Sequence, residues 1–291
     1  MYDVVLITTY KKGITMNYKI VSDSSSNLTS YPEVDFDSVP LHIIVGTKDF
    51  VDKEGVDLPA MLEALSKQKG PSSTSCPSPE DWLNAFGEAD AVFCVTITSK
   101  LSGSFQSANT AKLMYEEQHP DRKVFLIDSL STGPHMVLLI EKLAQLIKED
   151  RNPEEIYNRI LDYHKHTRLF FSLASVNNLA KNGRINSLLA FGIGALGIRI
   201  VGEAFEGTLK PRDKGRGDKK ALNLLLKHME ENGYKGGKVH ISHTGNPEAA
   251  KMLKNMITEK YGAFPGNIYQ NTALCSYYAE PLSVLLAFET K

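Results

Sequence analysis

The stretch AVFCVTITSKLSGSFQSA, residues 91–108, decides the fold. Ala91 to Ile97 is apolar, rich in β-branched residues and free of charge, the pattern of a strand covered on both faces. Thr98 to Gly103 breaks it with hydroxyls and a glycine. From Phe105 to Glu117 the spacing becomes helical, and Lys123 to Ile127 forms another apolar strand that stops at Asp128-Ser129. Strand, loop, helix and strand in that order form the crossover of a parallel sheet.

The same alternation extends to both sides. Tyr18 to Val21 reads as a strand running into the polar turn Ser22 to Asn27. Val39 to Val45 reads as one more strand, interrupted by Pro40 and His42. Leu58, Met61, Leu62 and Leu65 are spaced for a helix over Leu58 to Lys67. Pro71 to Pro79 reads as a loop, with Ser78 as N-cap and Pro79 as first residue of a helix through Trp82, Leu83 and Phe86. Met136 to Lys148 and Pro153 to His164 are helical, the first strongly apolar.

From Leu169 the rhythm changes. Phe170 to Leu173 is a strand, Asn177 to Asn182 a short helix stopped by Gly183, and Ile198 to Val201 with Glu203 to Leu209 a hairpin turning at Glu206-Gly207. A helix over Ala221 to Glu231, a strand over Lys238 to Ser242, a helix over Pro247 to Tyr261 and strands at Ile268 to Thr272 and Val284 to Glu289 complete it. The expectation is an α/β protein: an N-terminal parallel-sheet α/β domain over 16–165, a C-terminal α+β domain over 166–291, and a preceding extension over 1–15. Met16 reads as an alternative translation start, which an intact mass decides.

Composition narrows the function. The chain of 291 residues has 33 basic and 34 acidic residues, so no net positive charge points to nucleic acid. Three scattered cysteines fit a reducing compartment, here the cytoplasm. The apolar, uncharged stretch Ile185 to Ile198 ends at Arg199 and is too short to span a bilayer. The histidines lack the spacing and partners of a metal site. Gly192 to Gly197 spells G-x-G-x-x-G, but with helical character before it and a strand after it, the reverse of a dinucleotide site.

Two hydroxyl clusters remain: Ser72-Ser73-Thr74-Ser75, and Thr98-Ser99 with Ser102-Gly103-Ser104. Each is expected in a loop entering a helix, where free N–H groups and neutral hydroxyls suit a carboxylate or phosphate. Helix capping and turn formation account for the same residues equally well.

The order of these motifs resembles the DegV family. Ser22-Asp23-Ser24, Thr74-Ser75-Cys76-Pro77-Ser78, Thr98 to Ala108, Asp128-Ser129 and Asn182-Gly183-Arg184-Ile185 match its segments in sequence, from about Met16 to the C-terminus. The resemblance implies a non-catalytic protein that holds a long-chain fatty acid in a tunnel between two domains. It implies a carboxylate site at Thr74, Ser75, Ser102 and Gly103, supported by the loops of Ser24, Asp128 and Ser129. It further implies an ATP-dependent fatty-acid kinase subunit as partner, with Arg184 and Arg216 near the contact, no metal and no cofactor other than the bound acid. The chain departs from the family at Arg199-Ile200, at Pro134, and at Tyr278-Ala279-Glu280-Pro281-Leu282, which stands where the family has His-x-Gly-Pro-Gly. Tyr278 can donate a hydrogen bond there, whereas Glu280 would repel an anion unless it points away or is protonated. The alternative is an enzyme acting on a phosphorylated or nucleotide substrate at the same anion site, with Asp23 and Asp128 as catalytic carboxylates.

Overall fold

The computed structural model describes residues 16–68, 70–149, 151–185 and 197–290. Its strands are β1 Tyr18–Asp23, β2 Phe36–Val39, β3 His42–Val45, β4 Lys48–Val51, β5 Ser72–Ser75, β6 Ala91–Thr96, β7 Lys123–Asp128, β8 Thr167–Leu173, β9 Ile198–Phe205, β10 Thr208–Arg216, β11 Val239–Thr244, β12 Ile268–Gln270 and β13 Ser283–Glu289.

Strands β2-β1-β6-β7 form a parallel sheet in that order. Every residue of β6 is buried, as its uncharged run requires. Val92 and Cys94 face one side, where Trp82, Phe86 and Tyr115 of helices Pro79–Phe86 and Ser104–Gln118 cover them. Phe93 and Val95 face the other, under helices Pro134–Lys148 and Pro153–Lys165. The second sheet, β10-β9-β8-β13-β11-β12, is antiparallel except for the β11–β12 pair. On one face Phe170, Leu286 and Phe288 pack on helices Gly217–Glu231 and Pro247–Tyr261. Its other face, Leu169, Phe171, Leu173 and Leu285, meets Leu138 of helix Pro134–Lys148. That helix is therefore shared: Met136, Leu139 and Ile140 serve the parallel sheet, Leu138 the antiparallel one. An apolar surface all round is what such a position demands. The mixed architecture, parallel first and mostly antiparallel second, agrees with the alternation in the sequence.

Three segments differ from the sequence reading. Val39 to Val45 is two strands, because Pro40 lacks the N–H needed to continue the ladder, and β3 turns away into a small antiparallel sheet, β4-β3-β5. The Ser72–Ser75 cluster is β5 of that sheet rather than a helix-entering loop. Of its residues only Thr74 favours a strand, and pairing with Ile43 and Ile44 decides the matter. Beyond Gln270 the chain forms the helix Ala273–Ala279, which the sequence pattern did not show. The G-x-G-x-x-G segment lies outside the described residues, except Gly197.

A buried histidine, His135, and a half-buried one, His164, lie where the chain passes from one sheet to the other. His135 Nε2 is 2.7 Å from the Thr167 hydroxyl, and its ring centroid is 5.3 Å from that of His164. Burial, then the neighbouring His164 and Arg168 charges, push His135 well below the ordinary imidazole value. His164 is lowered too, by burial acting against its bond to the Ser129 carbonyl and the Asp128 charge. Both are neutral in the folded state where the unfolded chain begins to protonate, near pH 6.5. The unfolded state then binds more protons, so their contribution is complete above that pH and is lost as pH falls below it. For His135, held well below the ordinary value, the loss steepens toward a limit of about 1.4 kcal/mol per pH unit, and His164 adds a smaller share. Urea unfolding is expected to show stability declining between pH 7 and pH 5, and a flat profile there would contradict it. Asp23 and Asp52 do not add to that loss: burial raises both, so acid relieves their cost.

Candidate ligand-binding cavity

A cavity of about 290 Å³ lies between the inner face of the antiparallel sheet and the loops leaving β6 and β7. This is near the lower end of the roughly 300–1,000 Å³ typical of small-molecule sites. Leu169, Phe171, Leu173, Leu209 and Leu285 provide an apolar wall. Thr74, Ser75, Ser102, Gly103, Arg184 and Tyr278 line the same cavity. The structure thus brings together both hydroxyl clusters and the two C-terminal residues that the sequence reading set beside them.

Each polar residue is placed by backbone geometry. In β5 alternate residues share a face, so Ser72 and Thr74 both turn toward the helix Ala273–Ala279. Their hydroxyls meet those of Tyr277 at 2.8 Å and Tyr278 at 2.7 Å. Ser102 accepts from the Ser104 amide at 3.2 Å and so shapes the start of the helix after β6. A Cβ on Gly103 would lie 3.1 Å from Cys76 Sγ, so glycine allows the two clusters to approach closely. Asp23 anchors this end of the sheet. Fully buried, it accepts from the amides of Ser25 and Ile97 and from the hydroxyls of Ser25 and Ser104.

The loop after β7 is built by Asp128 and Ser129. Asp128 accepts from the amides of Ser99 and Leu130, at 3.1 and 3.0 Å. It thereby holds Leu130 at φ +49°, a conformation that costs a bulky residue free energy. Leu130 then lines the cavity. The Ser129 hydroxyl donates to the Ser131 carbonyl at 3.0 Å. Neither Asp128 nor Ser129 lines the cavity. Ser24 is also a support: it accepts from the Leu41 amide at 3.0 Å and bonds to Asp52.

Arg184 lies 5.6 Å from the Tyr278 ring centre and donates to the carbonyls of Leu101 and Asn182. Burial raises the Tyr278 phenol against the opposing effects of the Thr74 bond and the Arg184 charge, so it remains a donor at neutral pH. Glu280 points away from the cavity: its carboxylate accepts from Ser175 Oγ at 2.7 Å and the Asn178 amide at 2.8 Å, at the start of the helix Asn177–Lys181. Arg216 is exposed at the end of β10 and is not part of the lining.

The sequence reading missed several residues that assemble the cavity. Asp52 accepts from the amides of Ala273 and Leu274 and from the Thr272 hydroxyl, capping the helix that carries Tyr278. Asn27 binds Asn271 and Thr272. Thr98 donates to the Gly207 carbonyl at 2.8 Å, clasping the β9–β10 turn to the loop after β6. Thr98 and the turn at Glu206-Gly207 carried a signal in the sequence, though not one for this clasp, and Asn27 showed only as the end of a polar turn; Asp52 is a single polar residue without a motif.

Apolar walls ending in neutral donors and one cation suit the binding of an amphipathic acid. Asp23, Asp128 and Glu280 are all held by hydrogen bonds from other groups. Among the described residues no three His, Cys, Asp or Glu side chains converge as a metal site, and no helix is long and apolar enough to cross a membrane.

The chain belongs to the DegV family: the model described as "Uncharacterised protein, DegV family" matches residues 17–290. A DegV domain-containing protein of Streptococcus gordonii is 40% identical over 279 residues, which are 94% of this chain and 99% of the relative. A DegV family protein from Eubacterium eligens, loaded with heptadecanoic acid, is similar in structure with a TM-score of 0.92 and 42% identity, covering 94% of this chain and 100% of that one. The Streptococcus pneumoniae Fatty Acid Kinase (Fak) B3 protein, loaded with linoleic acid, also has a TM-score of 0.92, with 39% identity over 95% of this chain and 100% of that one.

Proposed function

We propose that this protein binds a long-chain fatty acid, with its tail against the sheet and its carboxylate at Thr74, Ser75, Ser102, Gly103 and Tyr278, and presents that carboxylate to an ATP-dependent kinase subunit. The observation that carries this reading is the convergence of both hydroxyl clusters on one apolar cavity. Two relatives of about 40% identity and the same fold hold fatty acids, and one of them is a fatty-acid kinase B protein.

The energetics favour such a ligand. Each buried methylene contributes about 0.8 kcal/mol, so the tail supplies most of the affinity. An unpaired buried carboxylate would cost several kcal/mol, roughly. Neutral hydroxyls and backbone amides offset that cost without a permanent ion pair, leaving the head group available for transfer. Arg184, stacked on Tyr278, adds positive potential at the head end, while exposed Arg216 suits contact with the partner. Residues 16–165 and 166–291 act as two lobes with the cavity between them and the helix Pro134–Lys148 as shared spine. The cytoplasm, where ATP is available, is the compartment this role requires.

Organic extraction of the purified protein followed by mass spectrometry is expected to release fatty acid. Added acid should raise the melting temperature of delipidated protein, whereas nucleotides and sugar phosphates should not. Absence of co-purified lipid together with no response to added fatty acids would refute the proposal. A response confined to nucleotides or sugar phosphates would favour the enzyme alternative.

A further inference from the structure

Ser131 stands out among the hydroxyls round the cavity. It is 4% exposed and lines the cavity, yet its Oγ has no hydrogen-bond partner among the described residues. Its main chain is fully committed: the amide donates to Ser129 Oγ at 3.2 Å, and the carbonyl accepts from the Thr98 amide at 3.0 Å. Neighbouring hydroxyls are in use. Thr98 donates to the Gly207 carbonyl at 2.8 Å and Thr208 to the Phe205 carbonyl at 3.0 Å. Thr132, next in the chain, has only long contacts, 3.4 Å to the Ser25 carbonyl and 3.5 Å to Cys275 Sγ.

A buried hydroxyl without a partner costs free energy, and native proteins rarely leave one so. The residue borders the cavity, and a turn about its side-chain bond brings the Oγ, which has almost no accessible surface as placed, to an occupant. The surroundings specify the kind. Leu130 precedes it, and a Cβ on Gly133, two residues on, would lie 3.4 Å from Asn27 Nδ2, which already donates to Asn271 Oδ1, 3.5 Å from Leu285 and 3.8 Å from Cys275 Sγ. Burial pushes the Cys275 thiol up to about 12, so it contributes no charge. A carboxylate set among such groups would lack the several donors it needs. A neutral oxygen on an acyl chain needs only one. The Ser131 hydroxyl rotates freely and can donate to that oxygen or accept from it.

We infer that Ser131 forms a second polar subsite in the cavity wall, and that the preferred ligand is a long-chain acid with an oxygen on its chain, such as a hydroxy fatty acid. The inference rests on the cavity receiving an acyl chain as proposed above. Ser131 acts as a specificity-determining residue: the oxygenated chain satisfies its hydroxyl, and a plain chain leaves it unpaired. Thr132 is placed to share the contact.

The test is a competition for delipidated protein between octadecanoic acid and hydroxyoctadecanoic acids bearing the hydroxyl at successive carbons. One positional isomer is expected to bind about tenfold more tightly than octadecanoic acid, the gain of a single well-placed neutral hydrogen bond. Ser131→Ala is expected to bring that ratio to about one, and Ser131→Thr, which keeps the hydroxyl, to preserve a preference. Equal or weaker binding of every isomer would overturn the inference, as would a preference that persists in Ser131→Ala. Failure of all the acids to bind would instead refute the fatty-acid reading itself.

Discussion

Thr74→Val is expected to weaken binding of a saturated long-chain acid by between about tenfold and a hundredfold, the loss of one hydrogen bond to a charged group. Valine keeps the shape and β-branching of threonine, so β5 should still pair with Ile43. Only the hydroxyl disappears. That hydroxyl is 2.7 Å from the Tyr278 hydroxyl, and either can donate. An anion accepts only, so binding orients the pair: Tyr278 donates to Thr74, and Thr74 donates to the carboxylate. Such a chain polarises each member and strengthens the terminal bond. Tyr278→Phe should therefore weaken binding also, by a smaller factor, and the double variant should lose less than the sum of the two. Titration of delipidated protein with one defined acid measures all three. Affinity within about twofold of wild type for Thr74→Val would remove Thr74 from the head-group site.

The legibility of this site followed the distance over which its signals act. Ala91 to Thr96 announced a buried strand because every residue satisfies one environment, and Ser78-Pro79 announced a helix start because capping is local. The cluster Ser72 to Ser75 did not reveal its strand. Its structure depends on Ile43 and Ile44, some thirty residues earlier in the chain. The alternation that presents Thr74 and Ser72 to the two tyrosines was invisible for the same reason. The helix Ala273–Ala279 is seven residues long, too short for apolar periodicity to emerge, and its N-cap, Thr272, makes no capping bond of its own. Glu280 was legible as a conflict but not as its resolution, because Ser175 and the Asn178 amide are about a hundred residues away in sequence. Family motifs identified which hydroxyls gather, while the residues that make them gather carried no motif.

Asp52 is the strongest case of such a residue, and Asp52→Ala is expected to destabilise the protein by about 3 kcal/mol or more. The side chain lies just past the end of β4, 2% exposed. Its carboxylate accepts from the Ala273 amide at 2.7 Å, the Leu274 amide at 3.1 Å and the Thr272 hydroxyl at 3.2 Å. It thus supplies, from a distant part of the chain, the cap that the helix Ala273–Ala279 lacks. Burial raises its pKa above the ordinary carboxylate value, opposed by these bonds and that of Ser24, so the ionised form carries a real cost. Two effects compete when it is removed. Alanine eliminates the buried charge but strands the donors, and stranded donors lose their full solvation without return. Asparagine separates the two, since it also removes the charge but keeps one acceptor oxygen. If donor satisfaction dominates, stability falls from wild type to Asp52→Asn to Asp52→Ala in urea unfolding. If charge burial dominated, Asp52→Asn would be the most stable of the three, and that order would overturn the argument. The same helix carries Tyr277 and Tyr278, which hold Ser72 and Thr74 in place. Asp52→Ala should accordingly weaken acid binding under conditions where the variant remains folded, although Asp52 itself does not line the cavity.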